Sequence, residues 1–179
     1  LGILEVHTRR TPLAEDVELE ILAKGTVGMN GSQLENLVNE AALMAARQDK
    51  KTIHMEDLEQ AKDKVMMGPE RRSIIVSEKD RRRTAYHEAG HAIVGELLDD
   101  ANPVQKISII PRGVGALGYT LNSPAEDRYL MTKPELLGRI CALLGGRAAE
   151  DLVFEENTTG AANDLMRATQ LAESMVKRS

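Results

Sequence analysis

The sequence of 179 residues has no tryptophan, a single phenylalanine and three tyrosines. Aromatic rings therefore cannot fill its interior. Aliphatic and methionine side chains must do so, which favours helices over a β-sandwich. Cys141 is the only cysteine, so an internal disulfide and a multi-cysteine metal site are both excluded, and a reducing compartment suits the chain. No apolar run approaches the roughly 20 residues that cross a bilayer, and no charged-then-apolar leader opens the chain. As given, the polypeptide reads as soluble. An excess of positive charge is missing too. The formal net charge of −5 offers no general attraction to nucleic acid or anionic lipid, so no nucleic-acid partner is expected. The cluster Arg81-Arg82-Arg83 is local, and flanking acids offset it.

What is present divides near Gly68-Pro69. Residues 1–68 read as all helical. Thr11-Pro12 signals a helix start, with apolar residues following at Leu13, Val17, Ile21 and Leu22. Gly31-Ser32 opens an amphipathic helix whose apolar face is Leu34, Leu37, Val38, Ala41, Ala42 and Ala45, and a third helix carries Met55, Leu58, Ala61 and Val65. In residues 69–179, Ser77-Glu78-Lys79-Asp80 marks the start of a long helix reaching about Leu98, which Asn102-Pro103 ends. A strand is expected over Val104–Ile110 and a second over Ala116–Leu121, then a loop across Ser123–Asp127. Helices from about Lys133 to Phe154 and from about Asp164 follow. The fold class is thus mainly α with a small β-sheet. The missing initial methionine and the uncapped last helix give both ends the look of cuts, so a fragment of a longer protein is expected.

Chemistry concentrates at His87-Glu88-Ala89-Gly90-His91, an H-E-x-x-H pattern. Residues four apart on a helix share one face, so two imidazoles can converge on one zinc ion. Glu88 stands one step round the helix. From there it can take a proton from water acidified by the metal and pass it to a leaving amine. The plain alternative is two incidental histidines, and the small residues between them in mid-helix tell against it. A catalytic zinc needs a third protein ligand. His7 and His54 lie in the first region, where ordinary surface or half-buried positions explain them. Downstream carboxylates are the other candidates. Asp164 sits where a loop of small and polar residues enters the last helix, a junction that spacing favours. Glu150, inside a helix, then suits accepting a hydrogen bond from a ligand imidazole. Each has the alternative of an exposed charge or a helix cap. The strand Val104–Ile110 offers a further idea, an edge that holds an extended peptide by backbone hydrogen bonds; an internal strand is the competing reading. Cys141, among Ile140, Ala142, Leu143 and Leu144, reads as core, and the methionines read as packing.

These residues resemble the FtsH-type ATP-dependent zinc metalloproteases, the M41 family of AAA proteases. The resemblance rests on Ala85-Tyr86-His87-Glu88-Ala89-Gly90-His91-Ala92, Ile109-Ile110-Pro111-Arg112-Gly113 and Leu117-Gly118-Tyr119-Thr120. Leu144-Gly145-Gly146-Arg147-Ala148-Ala149-Glu150 and Thr158-Thr159-Gly160-Ala161-Ala162-Asn163-Asp164-Leu165 carry it further. It implies zinc ligation by His87, His91 and Asp164, with Glu88 as the catalytic residue. It also implies an AAA helical lid over residues 1–68, resembling the family at Leu37-Val38-Asn39-Glu40-Ala41-Ala42-Leu43, and a zincin-type protease domain, C-terminally truncated, over residues 69–179. In such lids the loop before this helix lies against adenine, which makes Gly31 and Ser32 the nucleotide-adjacent candidates. Here that loop reads Asn30-Gly31-Ser32-Gln33-Leu34 where the family has Ser-Gly-Ala-Asp-Leu. No G-x-x-x-x-G-K-[ST] loop occurs, so the large ATPase subdomain is expected to lie outside this chain, as are the membrane segment and the end of the protease domain. For the full-length protein the resemblance implies Zn2+ and ATP as cofactors and a homo-hexamer. It further implies unfolded or membrane protein substrates and a membrane anchor that holds the catalytic domains on the cytoplasmic side or its organelle equivalent. ATP is not expected to bind this fragment well. An assembly or nucleotide-sensing module with little activity alone is the competing reading, and a pseudoprotease with a structural zinc is a weaker third.

Overall fold

The computed structural model describes residues 1–71, 73–112, 117–122, 130–156 and 158–178. It divides into two compact units, Leu1–Glu70 and Arg71–Ser179.

The first unit holds four helices: α1 (Gly2–Thr8), α2 (Leu19–Lys24), α3 (Gly31–Arg47) and α4 (Met55–Met67). The strong period of α3 buries Leu34, Leu37, Val38, Ala41 and Ala45 against Leu4, Leu22, Ile53, Leu58 and Ala61. Asn30 caps α3 reciprocally: its Oδ1 accepts from Gln33 N at 2.9 Å while Gln33 Oε1 accepts from Asn30 N at 2.9 Å. The start of α4 is held by Asp57, whose side chain is fully buried. It accepts from His54 N at 3.0 Å and from Lys50 Nζ at 2.8 Å. The helix expected from Pro12 does not form. Ile53 N donates to Pro12 O at 2.8 Å and Ala14 N to Ile53 O at 2.9 Å, making an isolated parallel bridge between Leu13 and Ile53. Those backbone groups are pulled into extended pairing by a segment forty residues away in sequence, which overrides the local proline signal, and the helix begins only at Leu19.

The second unit contains α5 (Glu78–Leu97), β1 (Val104–Ser108), β2 (Tyr119–Asn122), α6 (Lys133–Phe154) and α7 (Ala162–Arg178), the last entered through a 3-10 turn at Thr159–Ala161. Ser77 Oγ accepts from Asp80 N at 3.1 Å and so caps α5. Thr132 and Glu135 form the equivalent box for α6, with Thr132 N donating to Glu135 Oε2 at 2.6 Å. The strands pair antiparallel, Ile107 opposite Thr120 and Ser108 opposite Tyr119, with a bulge between Val104 and Lys106. β1 ends at Ser108 rather than Ile110, because Ser108 Oγ accepts from Ile110 N at 3.2 Å and turns the chain before Pro111. The expected second strand begins outside the described residues at Ala116 and is seen from Tyr119; the loop expected over Ser123–Asp127 also lies outside them.

The pair α5 and α6 forms the main packing of this unit. Glycine makes their approach possible. A Cβ on Gly90 would collide with Gly145 O and stand 2.7 Å from Ala149 Cβ, and one on Gly145 would stand 2.6 Å from Gly90 O. The two backbones are in direct contact at that crossing. Each glycine is unfavourable in a helix interior by about 1 kcal/mol relative to alanine, and the close crossing compensates.

The core assignment of the first unit is testable by denaturant melts. Leu37→Ala, at a fully buried site, is expected to cost about 2–5 kcal/mol. Leu43→Ala, at a site 48% exposed on the same helix, is expected to change stability by about 0.5 kcal/mol or less.

Candidate metal centre

His87 and His91 project from one face of α5 toward α6 and the start of α7. Both are buried, with ring planes 84° apart. Each ring is aimed by a hydrogen bond from its far nitrogen. His87 Nδ1 donates to Glu150 Oε1 at 2.6 Å. His91 Nδ1 donates to the backbone oxygen of Ala142 at 2.7 Å. With both Nδ1 atoms committed as donors, both Nε2 lone pairs point inward, 3.0 Å apart.

Asp164 completes the group from the first turn of α7. Its Oδ2 stands 3.3 Å from His87 Nε2 and 3.4 Å from His91 Nε2. Two imidazole lone pairs and a carboxylate thus face one point, an arrangement that repels itself unless a cation or protons lie among them. Ligands about 2.0–2.1 Å from a tetrahedral zinc stand about 3.3–3.4 Å from each other, which matches two of these three separations. The donor set, two imidazoles and one carboxylate, is also that of a catalytic zinc. The residues fit the metal.

Gly146 forms the wall in front of the imidazoles. A Cβ there would lie 2.6 Å from His91 Nε2 and 2.7 Å from His87 Nε2, in the space that the converging lone pairs address. Sequence reading passed over this residue as a role; two adjacent glycines inside a helix were the available signal. Glu150, only 2% exposed, has a double function. Besides receiving His87 Nδ1–H, it accepts from Thr158 N at 3.0 Å. The same carboxylate therefore ties the first imidazole to the segment that delivers Asp164.

Glu88 is buried beside the histidines, and Thr120 Oγ1 on β2 donates to its Oε2 at 2.7 Å. Burial raises the Glu88 carboxyl above its usual range, against the lowering effects of the Thr120 bond and the two histidines. For His87 and His91, burial pulls the pKa down, but the bonds to Asp164, and to Glu150 and Ala142 O respectively, outweigh it and both are raised. Asp164 is lowered far below the usual carboxylate range; burial opposes this, and the hydrogen bonds and charges of His87 and His91 prevail. Gly31 and Ser32 lie in the first unit, in the first turn of α3. Cys141, read from sequence as core, is exposed. It occupies an outward position of α6, where apolar sequence neighbours do not report which way one side chain faces.

Residues 74–179 match the model of peptidase family M41. The chain belongs to this family. Residues 16–60 match the AAA+ lid domain model. The M41 chain is 60% identical over 174 residues to the ATP-dependent zinc metalloprotease FtsH of Pseudothermotoga lettingae, covering 97% of this chain and 28% of that protein. It is 59% identical to the FtsH of Thermotoga maritima over the same shares of each chain. With the FtsH of Rubrobacter xylanophilus it is 57% identical, over 99% of this chain and 27% of the relative. The M41 chain thus spans little more than a quarter of the length of these relatives.

Two measurements test the geometry. Gly146→Ala is expected to reduce bound zinc from about one per chain to a small fraction of that, by elemental analysis, with helix content unchanged. Protons and zinc are also expected to compete. In metal-stripped protein the raised histidines stabilise the fold below about pH 6.5 and lose that effect as pH rises through their folded values, while Asp164 contributes above about pH 4 and loses its effect in acid. Zinc requires both imidazoles neutral. Its stabilisation in thermal melts is therefore expected to be larger at pH 8 than at pH 5.5.

Proposed function

We propose that the second unit is the peptidase domain of an ATP-dependent zinc metalloendopeptidase. In this reading His87, His91 and Asp164 hold the metal and Glu88 is the catalytic base. The observation that carries it is the convergence of His87 Nε2, His91 Nε2 and Asp164 Oδ2 beside a buried carboxylate. Zinc, when bound there, supplies Lewis acidity, which acidifies water and polarises a peptide carbonyl. The protein's own groups do the rest. Glu88, with one carboxylate oxygen engaged by Thr120, takes the proton of the attacking water on the other and returns it to the leaving amine. Glu150 keeps His87 in the tautomer that presents Nε2. An edge of the two-stranded sheet, which packs on α5, is placed to align an extended peptide by backbone hydrogen bonds.

The wider assignment follows from family membership and from the relatives' names. Residues 1–68 are taken as the helical lid of an AAA ATPase module and residues 69–179 as the greater part of the M41 domain. Gly31 and Ser32, at the start of α3, are the nucleotide-adjacent candidates in that lid. In the full-length protein ATP hydrolysis drives unfolded or membrane proteins to the zinc sites of a homo-hexamer anchored in a membrane. Among the described residues no helix is long and apolar enough to cross a bilayer.

A second reading, an assembly or nucleotide-sensing module with little activity of its own, is favoured by the lid match over residues 16–60. It predicts that this chain self-associates after His87→Ala, and a strictly monomeric chain at all concentrations contradicts it.

Glu88→Gln in the full-length protein tests the leading reading. Degradation of an unfolded substrate is expected to fall by about 10²–10⁴-fold, with bound zinc and ATPase activity retained. Wild-type degradation by that variant contradicts it.

A further inference from the structure

Glutamate carries three side-chain torsions, and a base that must meet a water in one place cannot sample them freely. Nothing on α5 itself fixes the head of Glu88 among the described hydrogen bonds. β2 does. Gly118, the residue before β2, and Thr120 within it both meet Glu88 of α5. Gly118 leaves room for the stem: a Cβ there would lie 3.0 Å from Glu88 Cγ, 2.7 Å from Thr84 Cγ2 and 2.8 Å from Ser108 O. Two residues on, Thr120 reaches the head. Its Oγ1 lies 2.7 Å from Glu88 Oε2 and 3.1 Å from Glu88 backbone O. A hydroxyl has one proton to give, and the nearer, charged carboxylate oxygen is the stronger acceptor.

We propose that Thr120 is the positioning residue for the catalytic carboxylate, its hydroxyl holding Glu88 Oε2 so that Oε1 alone faces the reacting water. This rests on the peptidase reading above. Engaging one oxygen from the strand side divides the carboxylate into an anchored half and a proton-accepting half. The strand register carries the effect outward, since Thr120 stands opposite Ile107 of β1. The sheet that is placed to align a peptide therefore also sets where the base stands.

The test uses the full-length, zinc-loaded, ATP-supplied protein with an unfolded substrate, comparing Thr120→Val, which keeps shape without the hydroxyl, with Thr120→Ser, which keeps the hydroxyl. Thr120→Val is expected to lower kcat by about ten-fold or more, with KM changed by about two-fold or less and zinc content unaltered. Thr120→Ser is expected to recover kcat to within about three-fold of wild type. A crystal structure of zinc-loaded Thr120→Val is expected to show the Glu88 carboxylate rotated from its wild-type position while His87, His91 and Asp164 stay in place. Wild-type kcat in Thr120→Val, an unmoved carboxylate, lost zinc, or a serine variant as impaired as the valine one each overturns the proposal. Glu88→Gln in the same assay separates the two levels. If it is inactive while Thr120→Val is normal, only the role of Thr120 fails; if it is fully active, the peptidase reading itself fails.

Discussion

Two helices of the second unit touch through their backbones, and the candidate site depends on that contact. Gly90 of α5 and Gly145 of α6 each occupy the place where the other's side chain would be. At ordinary interhelical spacing of about 8–10 Å, α6 would stand too far away to aim the imidazoles. Brought close, it presents Ala142 O to His91, Glu150 to His87 and the bare backbone of Gly146 to the space between them. The crossing is thus a length standard for the site. Three helical glycines are locally unfavourable, and they are tolerated because the packing and the hydrogen bonds they permit outweigh that preference.

Glu150 extends the same logic along the chain. Its two oxygens divide between an imidazole on α5 and the backbone at Thr158, so one buried carboxylate couples the orientation of His87 to the turn that leads into Asp164. The outer group and the two inner ones are therefore not independent. Displacing the Thr158 segment moves Asp164 and removes a partner of Glu150 together. On the other side, Thr120 of β2 and Gly118 just before it meet Glu88. His87, His91 and Asp164 are organised by helices, and Glu88 by the sheet.

Much of the second unit's framework could be read from local sequence because its signals are local. Ser77 caps a helix where expected, the helix expected from about Lys133 begins there, and the four-residue spacing of His87 and His91 sets them side by side whatever else the fold does. Asp164 is different: it comes from 77 residues beyond His87, so spacing favours it over Glu150 only modestly, and the family resemblance is what implies it as a ligand. Thr120 carried no signal as a partner of Glu88, because nothing near it in sequence says which helix its strand covers. The first unit shows the reverse error. Thr11-Pro12 is a sound start signal, yet its backbone pairs with Ile53, and a long-range hydrogen bond decides what a local pattern could not. Cys141 is a similar case, since an apolar neighbourhood in sequence does not fix the direction of a side chain on a helix.

The central claim is that one divalent cation is gathered by His87 Nε2, His91 Nε2 and an Asp164 carboxylate oxygen. Anomalous diffraction at the zinc edge from zinc-loaded crystals tests it most directly. The account predicts a single strong anomalous peak about 2.0–2.2 Å from each of those three atoms, with Glu88 nearby but not bonded to the metal. A peak elsewhere, a peak ligated by Glu150 in place of Asp164, or the three side chains turned apart in metal-replete crystals would contradict it.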